Sequence, residues 1–162
     1  VRFLRDHVRG FEDAWLAEMA PPIGIRESRR VIGDHVLSVD EVLEARKSED
    51  GIARGSYGVD IHNPAGTGTV IQHLPPGEAY DIPYRCITPR GFDNLLIAAR
   101  CISADHAAHS SMRVMPIVMA IGEAAGCAAQ MALPQGDVRA IDVQALRGRL
   151  VERGASIYGY DS

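Results

Sequence analysis

Hydrophobic and polar positions alternate with two different periods along this chain. Leu4, Val8, Phe11 and Trp15 recur at helical spacing among charged residues, which predicts an amphipathic helix over residues 2–19, ended by Pro21-Pro22. The Arg-rich stretch from Ile23 to Gly33 reads as one extended strand or a short hairpin. Ser38-Val39-Asp40-Glu41 forms a capping box, with Leu37 and Val42 placed as a hydrophobic staple, and predicts a helix from Val39 to about Arg46. Tyr57, Val59 and Ile61 alternate with Gly58, Asp60 and His62, the pattern of a strand with one apolar face. Asn63-Pro64-Ala65-Gly66 breaks that strand, and a Gly/Thr/Pro stretch follows to about Gly77. Tyr80, Ile82, Tyr84 and Cys86 repeat the period of two, with Pro83 assigning the strand to a sheet edge.

The strongest pattern comes last. Leu95-Leu96-Ile97-Ala98-Ala99 is a continuous apolar run suited to a strand buried on both faces of a parallel sheet. A polar loop over residues 100–111 leads to a long apolar helix from about Met112 to Ala132, with Ser111 as its N-cap and Pro116 in its first turns. Asp142 caps a final helix through Val151, stapled by Ile141 and Leu146. The fold class expected is α/β, as a mixed α+β fragment. In it a buried strand and long helix belong to one unit (residues 89–162), and an N-terminal helix and extended strands to another (residues 1–88).

Composition changes this picture little. The 162 residues carry 46% apolar and 23% charged side chains and a formal charge of -4, with no basic run to suggest nucleic acid. Three cysteines, Cys86, Cys101 and Cys127, form no CxxC pair, which suits free thiols in a reducing, cytoplasmic setting. Val114 to Leu133 is long enough to span a bilayer, but its Ala and Gly content, Pro116 and lack of aromatic or basic flanks favour a buried helix. His106 and His109 have no third partner in the pattern, so zinc is not indicated.

A strand end, a polar loop and a helix start form a place where a ligand binds, because the helix N-terminus offers free N–H groups and partial positive charge. Arg113 adds charge there. The small residues Ala120, Gly122, Ala124, Ala125, Gly126, Ala128 and Ala129 permit another backbone to approach the helix closely. A tightly packed core helix explains them equally well.

Several segments, taken in order, resemble a large family of FAD-dependent oxidoreductases. They are Gly24-Ile25-Arg26-Glu27-Ser28-Arg29-Arg30-Val31-Ile32-Gly33, Val59 to Pro64, Tyr80 to Arg85, Asn94 to Ser103, His109 to Pro116, and Gly122 to Gly126. The resemblance implies FAD as cofactor and hydride transfer between flavin and a small organic substrate. It places Arg100, Ile102 and Ser103 by the pyrophosphate and ribityl chain. Ser111, Met112, Arg113 and Val114 fall at the isoalloxazine edge that gains negative charge on reduction. His62 and Arg113 are the candidate catalytic residues; Asp60 and His62 share the polar face of one strand, which either lines the substrate cavity or is simply a solvated face, and the two readings explain the pattern equally well.

Two features depart from the family pattern. No GxGxxG occurs in the sequence, so the adenosine end of FAD calls for a dinucleotide-binding segment outside it. Ala99 stands where the family usually has Gly before the Arg. The alternative is a non-catalytic, self-associating module that does not bind FAD alone, held together as an oligomer through the apolar surface of its long helix.

Overall fold

A computed structural model describes residues 1–21, 24–25, 27–62 and 69–158, the last range including residues 69 and 70 and, like residue 62, giving these three as backbone only. The chain is mixed α and β. In order it forms α1 (Arg2–His7), α2 (Val39–Leu43), β1 (Gly51–Gly55), β2 (Val59–His62), β3 (Thr69–Gln72), β4 (Tyr80–Pro83), a 3-10 turn (Tyr84–Cys86), α3 (His106–Met112), α4 (Met115–Ala132) and α5 (Val143–Glu152). Among the described residues, two antiparallel pairs, β1 with β4 and β2 with β3, make up the sheet structure.

The locally encoded elements form as their chemistry dictates. Ser38 Oγ accepts from the Glu41 backbone N–H while Glu41 reaches back to the Ser38 N–H at 2.8 Å, closing the capping box of α2. Asp142 accepts from the N–H groups of Gln144 and Ala145 and starts α5. Leu37, Val42 and Leu146 are buried, as their staple positions require.

Four expectations need correction. The N-terminal helix stops at His7, because Gly10 takes a left-handed conformation (φ 91°) and no residue of α1 is buried to reward a longer helix. The Arg-rich segment is neither a strand nor a hairpin. It has no ladder among the described residues, and its backbone meets the rest of the chain through isolated contacts, Val31 N–H to the Cys101 carbonyl, Arg90 N–H to the Ile32 carbonyl and a bridge from Gly33 to Pro89. Ile23 and Arg26 of that segment, and the break at Asn63-Pro64-Ala65-Gly66, lie outside the described residues. Leu95–Ala99 is not a strand buried on two faces: it has no ladder partner among the described residues, and Leu95 is 39% exposed.

The fourth correction concerns the long helix. It starts not at Met112 but at Met115, after a break at Arg113–Val114, and a separate helix, α3, precedes it. Pro116 dictates this: as second residue of α4 its missing N–H costs nothing, whereas deeper in a helix begun at Met112 it would delete a bond. Ser111 is therefore buried inside α3 rather than capping α4.

The core lies between the β1–β4 pair and the helices. Ile117, Ile121, Ala124, Ala125, Ala128 and Ala132 form the inward stripe of α4, facing β1 and α5. Gly55 on β1 allows the Tyr80 ring and Ile117 to close over it, since a Cβ there would stand 2.9 Å from Ile117 Cδ1. Tyr80 is fully buried, and its hydroxyl donates to Ser111 Oγ at 2.7 Å while Ser111 donates onward to the Tyr57 carbonyl. Burial pushes the Tyr80 phenol up to about 12, against the Ser111 hydrogen bond.

By length and composition α4 could cross a membrane, and it is the one such helix among the described residues. Its outer side is exposed: Met115 is 80%, Met119 73% and Leu133 78% accessible, and Gly122 and Gly126 face open space.

Candidate functional site

The site is built around α3. Asp105 caps this helix, one carboxylate oxygen accepting the Ala108 N–H at 2.7 Å and the other the Val39 N–H at 2.7 Å, so a single side chain joins the starts of α3 and α2. With its start so fixed, α3 directs His106 and His109 towards the segment that carries Glu27.

Glu27 is the hub. Its carboxylate accepts from His106 Nδ1 at 2.9 Å, pairs with Arg30, and lies 3.4 Å from His109 Nδ1 and 3.6 Å from an Arg113 nitrogen. Burial works to raise the Glu27 carboxyl, but the His106 hydrogen bond and the neighbouring His109 and Arg30 outweigh it and hold it below the ordinary carboxylate value.

His109 is 1% exposed. Its Nε2 lies 2.7 Å from the Arg100 carbonyl, which only accepts, so Nε2 carries the hydrogen. Burial pushes the imidazole below the ordinary histidine value, prevailing over the Glu27 carboxylate that favours the cation. The neutral ring then has no hydrogen on Nδ1, which accounts for the absence of a hydrogen bond there although Glu27 is near.

These groups open onto a cleft of about 950 Å³ lined by Ile25, Glu27, Ser28, Arg29, Ala99, Arg100, Cys101, His109, Arg113, Met115, Val118 and Met119. One wall, from the start of α4, is apolar. The other carries Arg29, Arg100 and Arg113 against Glu27 alone, so the described charges favour an anion. Among the described residues no side chain caps α4 at Val114, and the first turn of that helix, through Met115 and Val118, lies beside the same cleft.

The sequence-derived residues divide clearly. Arg100 and Arg113 line the cleft, and Val114 is the half-buried start of α4. Ile102, Ser103, Ser111 and Met112 are fully buried behind it, and the Ser103 hydroxyl has no partner among the described residues. His62 is placed on β2 by its backbone, and its side chain lies outside the described residues. Sequence reasoning missed Glu27 as a site residue, and the sole signal for it was its place between arginines in the Gly24–Gly33 segment.

The model for FAD dependent oxidoreductases matches residues 1–150 of the chain. The chain belongs to the FAD-dependent oxidoreductase family. No curated protein and no solved structure gives a significant match.

The family is FAD-dependent, and the cleft suits that group. A dinucleotide flavin needs an apolar wall for its ring system and cations for its diphosphate. Met115, Val118 and Met119 offer the first; Arg29, Arg100 and Arg113 offer the second. His109 adds a buried ring nitrogen without a hydrogen-bond partner among the described residues.

Proposed function

We propose that this chain supplies the flavin-edge and substrate-facing part of an oxidoreductase that moves a hydride between a small organic substrate and FAD. The observation that carries this reading is the meeting of Arg100, Arg113 and His109 in one cleft with an apolar wall. Bound flavin supplies the two-electron chemistry. The residues of this chain bind and orient: Arg100 and Arg113 draw in the anionic portion, the start of α4 favours negative charge, and Glu27 holds Arg113 in place.

In this reading residues 89–162 carry the cofactor side and residues 1–88 most of the substrate side. The adenosine end of FAD is held by a dinucleotide-binding segment outside these 162 residues, since the sequence has no GxGxxG. Titration of the purified chain with FAD, followed by flavin fluorescence and visible absorbance, tests the proposal. Saturable binding supports a usable site within this chain. Absence of binding both here and after an upstream GxGxxG segment is joined to it would overturn the reading.

A second reading has its own observation. The exposed outer face of α4, with Met115, Met119 and Leu133, suits a self-associating module without catalytic function. Sedimentation of the chain separates the two, because a monomer at high concentration removes the second.

A further inference from the structure

One wall of the cleft is not secured by backbone bonds. Ile25, Glu27, Ser28 and Arg29 line it, yet among the described residues no backbone hydrogen bond joins residues 24–30 to the rest of the chain. The segment is pinned only beyond the cleft. There Val31 donates to the Cys101 carbonyl, and Gly33 packs so closely that a Cβ would stand 2.8 Å from the Arg85 carbonyl oxygen. At the cleft itself the link is the Glu27 carboxylate, which lies 2.9 Å from His106, 3.4 Å from His109 and 3.6 Å from Arg113. All three partners belong to α3 or directly follow it.

We propose that Glu27 is a positioning residue: its carboxylate fastens this wall to α3 and fixes the direction in which Arg113 faces the cleft. The consequence for anion binding rests on the flavin reading above, while the fastening of the wall does not.

Arg113 stands at the break between α3 and α4, and its side chain is only 13% exposed. Among the described residues Glu27 is its one carboxylate partner. A guanidinium on a long stem has many rotamers, and holding one of them costs entropy unless a contact has already selected it. Glu27 supplies that contact before any ligand arrives. Its own position is set from both sides, by Arg30 in its own segment and by the α3 histidines across the cleft.

Positioning and simple charge predict opposite signs. A carboxylate among Arg29, Arg100 and Arg113 repels an incoming anion, so by electrostatics alone its removal tightens anion binding. With Glu27 as the fastening, its removal weakens binding instead, because a released Arg113 and a loosened wall must be ordered again when the anion enters.

The test uses the chain without flavin, with inorganic pyrophosphate as the probe, in the wild type, Glu27→Gln and Glu27→Asp. Glutamine keeps the shape and an acceptor for His106 but not the charge, whereas aspartate keeps the charge with a shorter reach. Calorimetric titration should show pyrophosphate affinity lowered about fivefold or more in Glu27→Gln and lowered also in Glu27→Asp. Two readouts by nuclear magnetic resonance need no ligand. Heteronuclear NOE values should fall at Ser28 and Arg29 but not in α5. The His109 titration midpoint should drop in Glu27→Gln, since the carboxylate that favours the cation is gone while Arg113 and Arg30 still oppose it. Tighter or unchanged pyrophosphate binding in Glu27→Gln, unchanged NOE values at Ser28 and Arg29, an equal loss of order in α5, or an unmoved His109 midpoint would each overturn the proposal. A wild type that does not bind pyrophosphate would count against the anion-binding reading of the cleft, and Glu27 then stands or falls by the NOE values and the midpoint.

Discussion

Glu27 Oε2 lies 3.4 Å from Nδ1 of His109, yet no hydrogen bond joins them. The Arg100 carbonyl takes the one ring hydrogen, and burial keeps the second from binding. A carboxylate and a neutral imidazole are thus held side by side at the mouth of the cleft, and the behaviour of both with pH follows.

The His109 value is depressed in the folded chain, so between that value and the unfolded value near 6.5 the unfolded chain binds the extra proton. Its stabilising contribution is present above about pH 6.5 and is lost as pH falls. Glu27, also depressed, adds a second loss beginning near its unfolded value of 4.5. Urea unfolding at pH 7.5, 6.5 and 5.5 should show falling stability in the wild type and a flatter profile in His109→Gln, whose amide can still donate to the Arg100 carbonyl. Equal slopes in the two proteins would remove His109 as the titrating group.

Arg113 pairs with Glu27 on one side and faces the cleft on the other. In the flavin-containing protein, Arg113→Ala should weaken FAD affinity about tenfold or more, the loss of one charge-assisted contact. Arg149→Ala, on the exposed side of α5, serves as control. Equal flavin retention in both variants would take Arg113 out of the site.

Ser111 relays a hydrogen bond from the buried Tyr80 hydroxyl to the Tyr57 carbonyl. Ser111→Ala leaves that hydroxyl without its acceptor and should cost about 1–3 kcal/mol. Adding Tyr80→Phe should recover part of the loss, since the unsatisfied group is then gone. A double-mutant cycle by chemical denaturation checks this, and strict additivity of the two substitutions would contradict the relay.

Gly126 on α4 has nothing within 4 Å of where a Cβ would stand. Gly126→Ala should therefore stabilise this chain by about 1 kcal/mol through helix propensity alone, read as a rise of roughly 2–4 °C in Tm. Where another backbone covers this face in the working enzyme, the bulkier Gly126→Leu should lower flavin retention. Unchanged retention would show that the face stays uncovered.

What the sequence could reveal was chemistry that acts within a few residues. The Ser38–Glu41 box, the Asp142 cap and the alternation around Val59 and Tyr80 were legible because each is decided by neighbours along the chain. The family, too, was legible in its ordered motifs. Even Pro116 held a signal for the break before α4, and Asp105 one for α3, although the apolar run from Val114 obscured both. The site was less accessible. Glu27 meets His106 across 79 positions and Asp105 meets Val39 across 66, and no periodicity encodes such pairings. The sequence by itself determined the capped helices, the alternating strands and the family. Only the tertiary structure decided that Ser111 is buried, that Leu95–Ala99 forms no ladder among the described residues, and that Glu27 meets His106 and Arg113 at one cleft, because burial and pairing depend on which distant segments arrive at the same place.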